Sequence, residues 1–220
     1  NLFVVHSPER VFSGRVFEDL RSYPKLVGGV NDASTQKGVD FYKSILEFDK
    51  RPELSRPNGV WEMDSAEAAE LAKLAETTYR NVNIGLANEF AEFAEGQEID
   101  VYQVIEASNS QPFSHIHQPG IAVGGHCIPV YPKFYLSNAL NSKIPLTAIE
   151  VNDNIAERVV IKIRKRLNSL ESLRAVILGA SYRGGVKETS FSGVYRVSDA
   201  LEKNGASVLV HDPLFENKEL

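Results

Sequence analysis

Only one cysteine, Cys127, occurs among the 220 residues. That excludes an intramolecular disulfide framework and any cysteine-rich zinc site. Positive charge is not in excess either, since 24 Lys and Arg stand against 29 Asp and Glu for a net charge of −5. A mildly acidic chain without a basic block lacks the footprint of a nucleic-acid or anionic-membrane binder. No apolar run approaches the roughly 18 residues that a membrane helix requires. The opening apolar stretch, residues 2–5, has no charged segment before it and no small-residue cleavage site after it, so it does not read as a signal peptide. What remains is ordinary globular composition, 43% apolar and 24% charged. At roughly 150 residues per domain the length allows one domain or two small ones. In such a chain a lone cysteine is either a small buried hydrophobe or a reactive thiol.

Both ends read as pieces of parallel sheets. Residues 2–5 (LFVV) predict a buried strand that meets Ser7-Pro8 at once. Residues 174–180 (RAVILGA) predict a strand, 193–204 an amphipathic helix and 207–210 a second strand, together a βαβ unit at the start of a doubly wound sheet. With so little chain before the first strand and after the last, the sequence is expected to be a piece cut at both ends. Between them, 25–30 (KLVGGV) predicts a strand, and Asn31-Asp32 a helix start before 36–48. Residues 51–59, with two prolines and a glycine, predict a linker. The longest helical pattern runs from Asp64-Ser65 to Gly96, about 30 residues and so on the order of 45 Å. Further helices are predicted over 100–108 and after Pro145, where Val151, Ile155, Val159, Ile163 and Leu167 recur in steps of four. The division expected is 1–50, the end of one Rossmann-like domain; 60–168, a helical central domain; and 172–220, the start of another Rossmann-like domain. The class is α/β, with a helical spine whose apolar face is expected to form a dimer.

The segment most informative about chemistry is Gly120-Ile-Ala-Val-Gly124-Gly125-His126-Cys127-Ile-Pro129. Glycines beside a cysteine let the backbone approach a ligand and take positive φ, and the prolines stiffen both flanks. A nucleophilic thiol needs an accessible turn with positive charge or N–H dipoles nearby. From residue types alone, a buried cysteine in a glycine turn is equally admissible.

This segment resembles the nucleophile loop of the nucleotide-sugar 6-dehydrogenases, the UDP-glucose/GDP-mannose dehydrogenase family. The Gly-Gly-His-Cys-Ile-Pro spelling is similar to the branch acting on UDP-N-acetylhexosamines. Ser7-Pro8-Glu9-Arg10-Val11 is similar to the family's substrate-gripping loop. Ala69-Glu70-Leu71-Ala72-Lys73 with Asn88-Glu89 is similar to its central helix, and Gly179-Ala-Ser-Tyr182-Arg183 to the opening of its third domain.

The resemblance implies oxidation of a C6 alcohol to a carboxylate by two NAD in succession, through a cysteine thiohemiacetal and thioester. Cys127 would be the nucleophile. Lys73 would stabilise the oxyanion or move a proton, and Glu9 would contact substrate or help activate water. A UDP-sugar substrate would be held by Arg10, Val11, Thr77, Arg80, His117, Gly120, Gly124, Tyr182 and Arg183. Arg80 lies seven residues beyond Lys73 and so on the same helix face. Cys127, Lys187 and Ser190 would meet the cofactor. His115 and His117 flank one isoleucine, but pyrophosphate or sugar contact is the expected role and no metal is implied. The implied setting is cytoplasmic, as a homodimer, supplying uronic acids for surface polysaccharide.

Three positions depart from the family pattern. Thr77 stands where the family has asparagine, Tyr131 where it has aspartate, and Ser190 where it has a cofactor-contacting arginine, which Lys187 could replace. No Gly-x-Gly-x-x-Gly turn occurs, so the 220 residues alone are expected not to turn over NAD. A degenerate nucleotide-sugar-binding or dimerising module is therefore the alternative. A cysteine hydrolase fits worst, because no His-Asn pair is placed by spacing.

Overall fold

A computed structural model describes residues 2–216, which form two compact units divided between Glu76 and Thr77. The class is mixed α/β with one long central helix, as the sequence predicts.

In the first unit, β1 (Val5–His6), β2 (Lys25–Gly29) and β3 (Val60–Glu62) form one sheet in that order. β2 runs antiparallel to β1 and parallel to β3, and all five of its residues are buried. This is the continuous burial expected of a central strand. α1 (Val16–Ser22) precedes β2 and α2 (Asp32–Ile45) follows it. α2 starts where Asn31 accepts the Ser34 N–H through its side chain. A Cβ on Gly38 would lie 2.8 Å from Val27 and 2.9 Å from Val5, so glycine lets α2 sit close on β1 and β2. Gly28 is more constrained, because a Cβ there would fall 1.9 Å from the Ser65 carbonyl oxygen. Backbone, unlike a side-chain tip, cannot swing away. Gly28→Ala is expected to destabilise the first unit by at least about 3 kcal/mol, the upper range for overpacking. A lowered urea midpoint, followed by the fluorescence of Trp61 on β3, will show it.

α3 (Ala66–Gly96) begins in the first unit and continues in the second. The second unit adds α4 (Val101–Asn109), α5 (Tyr131–Asn138), α6 (Lys143–Leu167), β4 (Arg174–Leu178), α7 (Gly193–Lys203) and β5 (Ser207–His211). β4 and β5 pair in parallel across α7, the predicted βαβ unit. Val160, Leu170, Ala200, Leu201 and Ala206 form its core. α3 and α6 approach closely at Gly85, where a Cβ would be 3.2 Å from that of Ala148. A buried amide clamp joins the two helices. Asn152 donates to the Asn81 carbonyl (3.0 Å) and accepts from Asn88 (2.9 Å).

Several local expectations are corrected. Residues 2–5 are not a buried strand. Only Val5 enters β1, and Leu2 is 88% exposed. α2 covers 32–45 rather than 36–48, and α6 begins at Lys143, ahead of Pro145, which a first helical turn tolerates. The apolar row on α6 also does not stay inside. Val151 is buried, but Ile163 and Leu167 are exposed, while Ala148, Asn152, Ala156 and Val160 are buried. At 3.6 residues per turn, steps of four drift about 40° each, so a long row winds off the buried face. α1, β3 and α5 were not anticipated.

Candidate active site

The predicted residues fall in both units. In the first, the 7–15 segment is pinned at each end. The Ser7 hydroxyl donates to the Leu26 carbonyl (2.7 Å), and the Phe12 N–H donates to the fully buried Asp19 (2.8 Å). Glu9 is exposed, yet its carboxylate is held by the Arg10 N–H at 2.9 Å and by Lys25 Nζ at 3.1 Å. Arg10 Nε donates to Glu76 Oε2 (2.8 Å), whose other oxygen lies 3.5 Å from Lys73 Nζ. Lys73 is buried, only 6% exposed, so it is not a solvated lysine on an outer helix face. Glu76 thus gathers Arg10 and Lys73, and Val11 beside them is half-buried. Charge-assisted bonds of this kind fix side chains that would otherwise sample many rotamers. Lys25 and Glu76 were not singled out from sequence.

In the second unit, Thr77 is buried, at 1% exposure, one turn beyond Lys73 along α3. Tyr79, Arg80, Asn83 and Asn88 follow on that helix, and three of them organise the segment leading to the cysteine. Asn83 accepts the His117 N–H (2.8 Å), Asn88 accepts the Gly120 N–H (2.9 Å), and the His117 ring meets Tyr79 edge-on. Burial, and then the Arg80 charge, lower the His117 pKa from its ordinary value, so the imidazole is neutral at pH 7. Glycine exposes its backbone at Gly120 but is required at Gly124 and Gly125. A Cβ at Gly124 would lie 2.6 Å from the Tyr182 Cβ, and Gly125 has φ +86° under the same ring. The Gly125 N–H donates to the Ser190 carbonyl (3.0 Å). The loop carrying Cys127 is therefore stitched to residues 182–191, and Gly124, Cys127, Tyr182 and Ser190 share one neighbourhood. Cys127 is partly exposed, and its carbonyl accepts the N–H groups of Val130 and Tyr131 as α5 begins.

His126 and Glu188, which sequence reasoning left out of the site, tie the same two segments together. His126 Nε2 lies 3.2 Å from Glu188 Oε2, and Glu188 Oε1 accepts from both the Ser190 hydroxyl (2.7 Å) and N–H (3.0 Å). Sixty-two residues separate the pair, so no spacing signal could have found it. The Ser190 hydroxyl bond, then its N–H, then His126 lower the Glu188 pKa from 4.5 to about 2. A carboxylate with a depressed pKa stabilises the folded loop above its unfolded value and loses that contribution as pH falls. The tether is thus expected to weaken between about pH 4.5 and 2, not in the neutral range, and a carboxyl-carbon NMR titration of Glu188 with its midpoint near 2 will check it. Nearby, Asp212 accepts the Ala180 and Ser181 N–H groups, fixing the entry to Tyr182 and half-buried Arg183. Lys187 Nζ sits over the Phe215 ring. A cavity of about 190 Å³ beside the nucleophile segment is lined by Asn81, Val123, Pro129, Lys133, Phe191 and Arg196 among others.

Two helix starts that follow strands, those of α2 and α7, are already engaged by the chain itself. The helix start after β2 is closed by its own Asn31, and the Gly29 N–H already donates to the Thr35 hydroxyl. The start of α7 is capped by Ser192 and covered by Ile121 and Ala122 against Gly193. The Ser190 hydroxyl, expected at the cofactor, is engaged by Glu188. Among the described residues, no helix is long and apolar enough to cross a membrane.

Comparison with known proteins matches residues 67–158 to the central domain of the UDP-glucose/GDP-mannose dehydrogenase family. A UDP-N-acetyl-D-mannosamine dehydrogenase of Methanococcus maripaludis is 36% identical over 96% of this chain and 48% of its own length. The structure of a UDP-D-ManNAc dehydrogenase from Pyrococcus horikoshii superposes with a TM-score of 0.84 at 31% identity, over 96% of this chain and 49% of that one. A UDP-N-acetyl-mannosamine dehydrogenase structure from Staphylococcus aureus gives 0.79 at 33%, over 96% and 49%. The chain spans about half the length of the curated relatives it matches. Residues 67–158 thus match the central domain of the UDP-glucose/GDP-mannose dehydrogenase family, and the chain shares sequence and fold with UDP-N-acetylmannosamine dehydrogenases over about half of their length.

Proposed function

We propose that this chain is the catalytic part of an NAD-dependent UDP-N-acetylhexosamine 6-dehydrogenase, with UDP-N-acetyl-D-mannosamine as its substrate. The observation that carries this reading is the packing of the Cys127 segment on Tyr182 through two glycines, where an added Cβ would crowd Tyr182 at Gly124 and be strained at Gly125. It holds a partly exposed thiol on a stiff loop, as a nucleophile requires. Cys127 adds to the C6 aldehyde, and the thiohemiacetal it forms is the species oxidised to the thioester. The oxidant would be NAD, which would supply the hydride acceptor; the described residues show no cradle for it. The buried ammonium of Lys73 serves the oxyanion or the proton transfer. Arg10, Arg80 and Arg183, with Val11, Thr77, His117 and Tyr182, would hold the UDP-sugar, and Lys187 would meet the cofactor, the Ser190 hydroxyl being engaged by Glu188.

The proposal includes the division 1–50, 60–168 and 172–220, a homodimer formed through the central helix, a cytoplasmic site and uronic acid supply for surface polysaccharide. Purified protein incubated with NAD and UDP-N-acetyl-D-mannosamine should yield two NADH per uronate when the whole enzyme is present, and the 220 residues alone should yield none. UDP-glucose oxidised as fast as the acetamido sugar would refute the substrate assignment.

Tyr131 supports a second reading, because a phenol cannot act as the carboxylate that the family places there. A nucleotide-sugar-binding module would bind the UDP-sugar in calorimetry yet make no uronate, and Tyr131→Asp with Thr77→Asn would then restore turnover.

A further inference from the structure

Resting on that reading, we propose that His126, oriented by Glu188, is the base that activates water for hydrolysis of the acyl-Cys127 thioester. The imidazole is adjacent to the nucleophile in sequence, and its side chain is 59% exposed, so water reaches it. Nε2 is committed to Glu188 Oε2 at 3.2 Å. A carboxylate partner fixes the proton on Nε2 and leaves Nδ1 as the acceptor. Glu188 is itself immobilised by the Ser190 hydroxyl and N–H, so the base is oriented by a third group, as base catalysis requires. The depressed pKa of Glu188 keeps that partner ionised throughout the neutral range.

Neither competing group is as well suited. Tyr131 has no carboxylate, and the Glu9 carboxylate is already engaged on both oxygens, by Lys25 Nζ at 3.1 Å and by the Arg10 N–H at 2.9 Å. In the step itself, Nδ1 takes a proton from water as the water oxygen bonds to the thioester carbonyl carbon. The tetrahedral intermediate then expels Cys127 Sγ as the C–S bond breaks, and the imidazolium returns its proton to the thiolate. Carboxylic acid and free thiol result, with no change of oxidation state.

The test needs neither sugar nucleotide nor dinucleotide. p-Nitrophenyl acetate is used to acetylate Cys127, and loss of the acetyl group from the Cys127 peptide is followed by mass spectrometry. His126→Ala is expected to slow deacetylation about 10²-fold or more, the range of a general base. Added imidazole should restore much of that rate. Glu188→Gln should slow the step less, and Glu188→Asp should recover part of the loss. Iodoacetamide alkylation of Cys127 should stay within a few-fold of the parent in all three variants, because the base acts on water rather than on the thiol. A His126→Ala protein that deacetylates at the parent rate would overturn the proposal. So would a slow variant that imidazole fails to rescue, or one in which Glu9→Gln has the larger effect. Failure of the whole enzyme to oxidise UDP-N-acetyl-D-mannosamine with deacetylation intact would count against the dehydrogenase reading alone.

Discussion

Replacing Cys127 by serine is expected to lower uronate formation by the whole enzyme by about 10⁴-fold or more, while UDP-sugar affinity changes only a few-fold. Removal of a covalent nucleophile costs on this scale, because its partners then act on an intermediate that no longer forms. Serine keeps the shape of the side chain and its turn, in which the Cys127 carbonyl accepts from Val130 and Tyr131, so the loop should stay folded. The substrate grip assigned to Arg10, Arg80 and Arg183 is untouched. Calorimetry with UDP-N-acetyl-D-mannosamine, beside NADH production, separates the two effects. If the serine variant still makes uronate at a tenth of the parent rate, the cysteine is not the nucleophile.

How much of this was readable beforehand follows from the range of each signal. The βαβ unit at 174–211 was legible because strand and helix periods are local, and its glycine-bounded strands differ sharply from the amphipathic helix between them. The 31-residue α3 was legible for the same reason, as an uninterrupted Ala-, Glu- and Leu-rich run without proline. α1, with seven residues, and β3, with three, are too short to display a period. Partnership was the less legible part of the site. The bonds Arg10–Glu76 and His126–Glu188 join residues 66 and 62 apart in sequence, and only the folded chain brings them together. The motifs singled out Glu9, Lys73 and Cys127. They gave no hint that the Glu9 carboxylate is bound by a buried lysine, or that the cysteine loop is fastened to the segment after Tyr182. Apolar character misled at the start of the chain, where Leu2 and Phe3 are exposed although their residue types favour a buried strand.

Gly124→Ala is expected to be the most damaging single-methyl change in the nucleophile segment, lowering kcat of the whole enzyme by about 10²-fold or more. The added Cβ would stand 2.6 Å from the Tyr182 Cβ and 3.1 Å from the Phe191 carbonyl oxygen. Neither atom is the tip of a flexible side chain, so the loop has to retreat, and Cys127 three residues on moves with it. A displacement of about 1 Å at a reacting group costs on the order of 10²-fold in rate. The accompanying loss of stability should be only about 1–3 kcal/mol, because overpacking one contact leaves the Val160 core intact. Gly120→Ala is the matched comparison. Its Cβ would meet only the Ala122 carbonyl oxygen, at 3.9 Å, in ordinary contact. That variant should therefore keep kcat within a few-fold. If both substitutions lower kcat equally, the effect belongs to glycine flexibility along the whole segment. If only Gly124→Ala does so while thermal stability barely moves, the close packing on Tyr182 is what sets the position of the thiol.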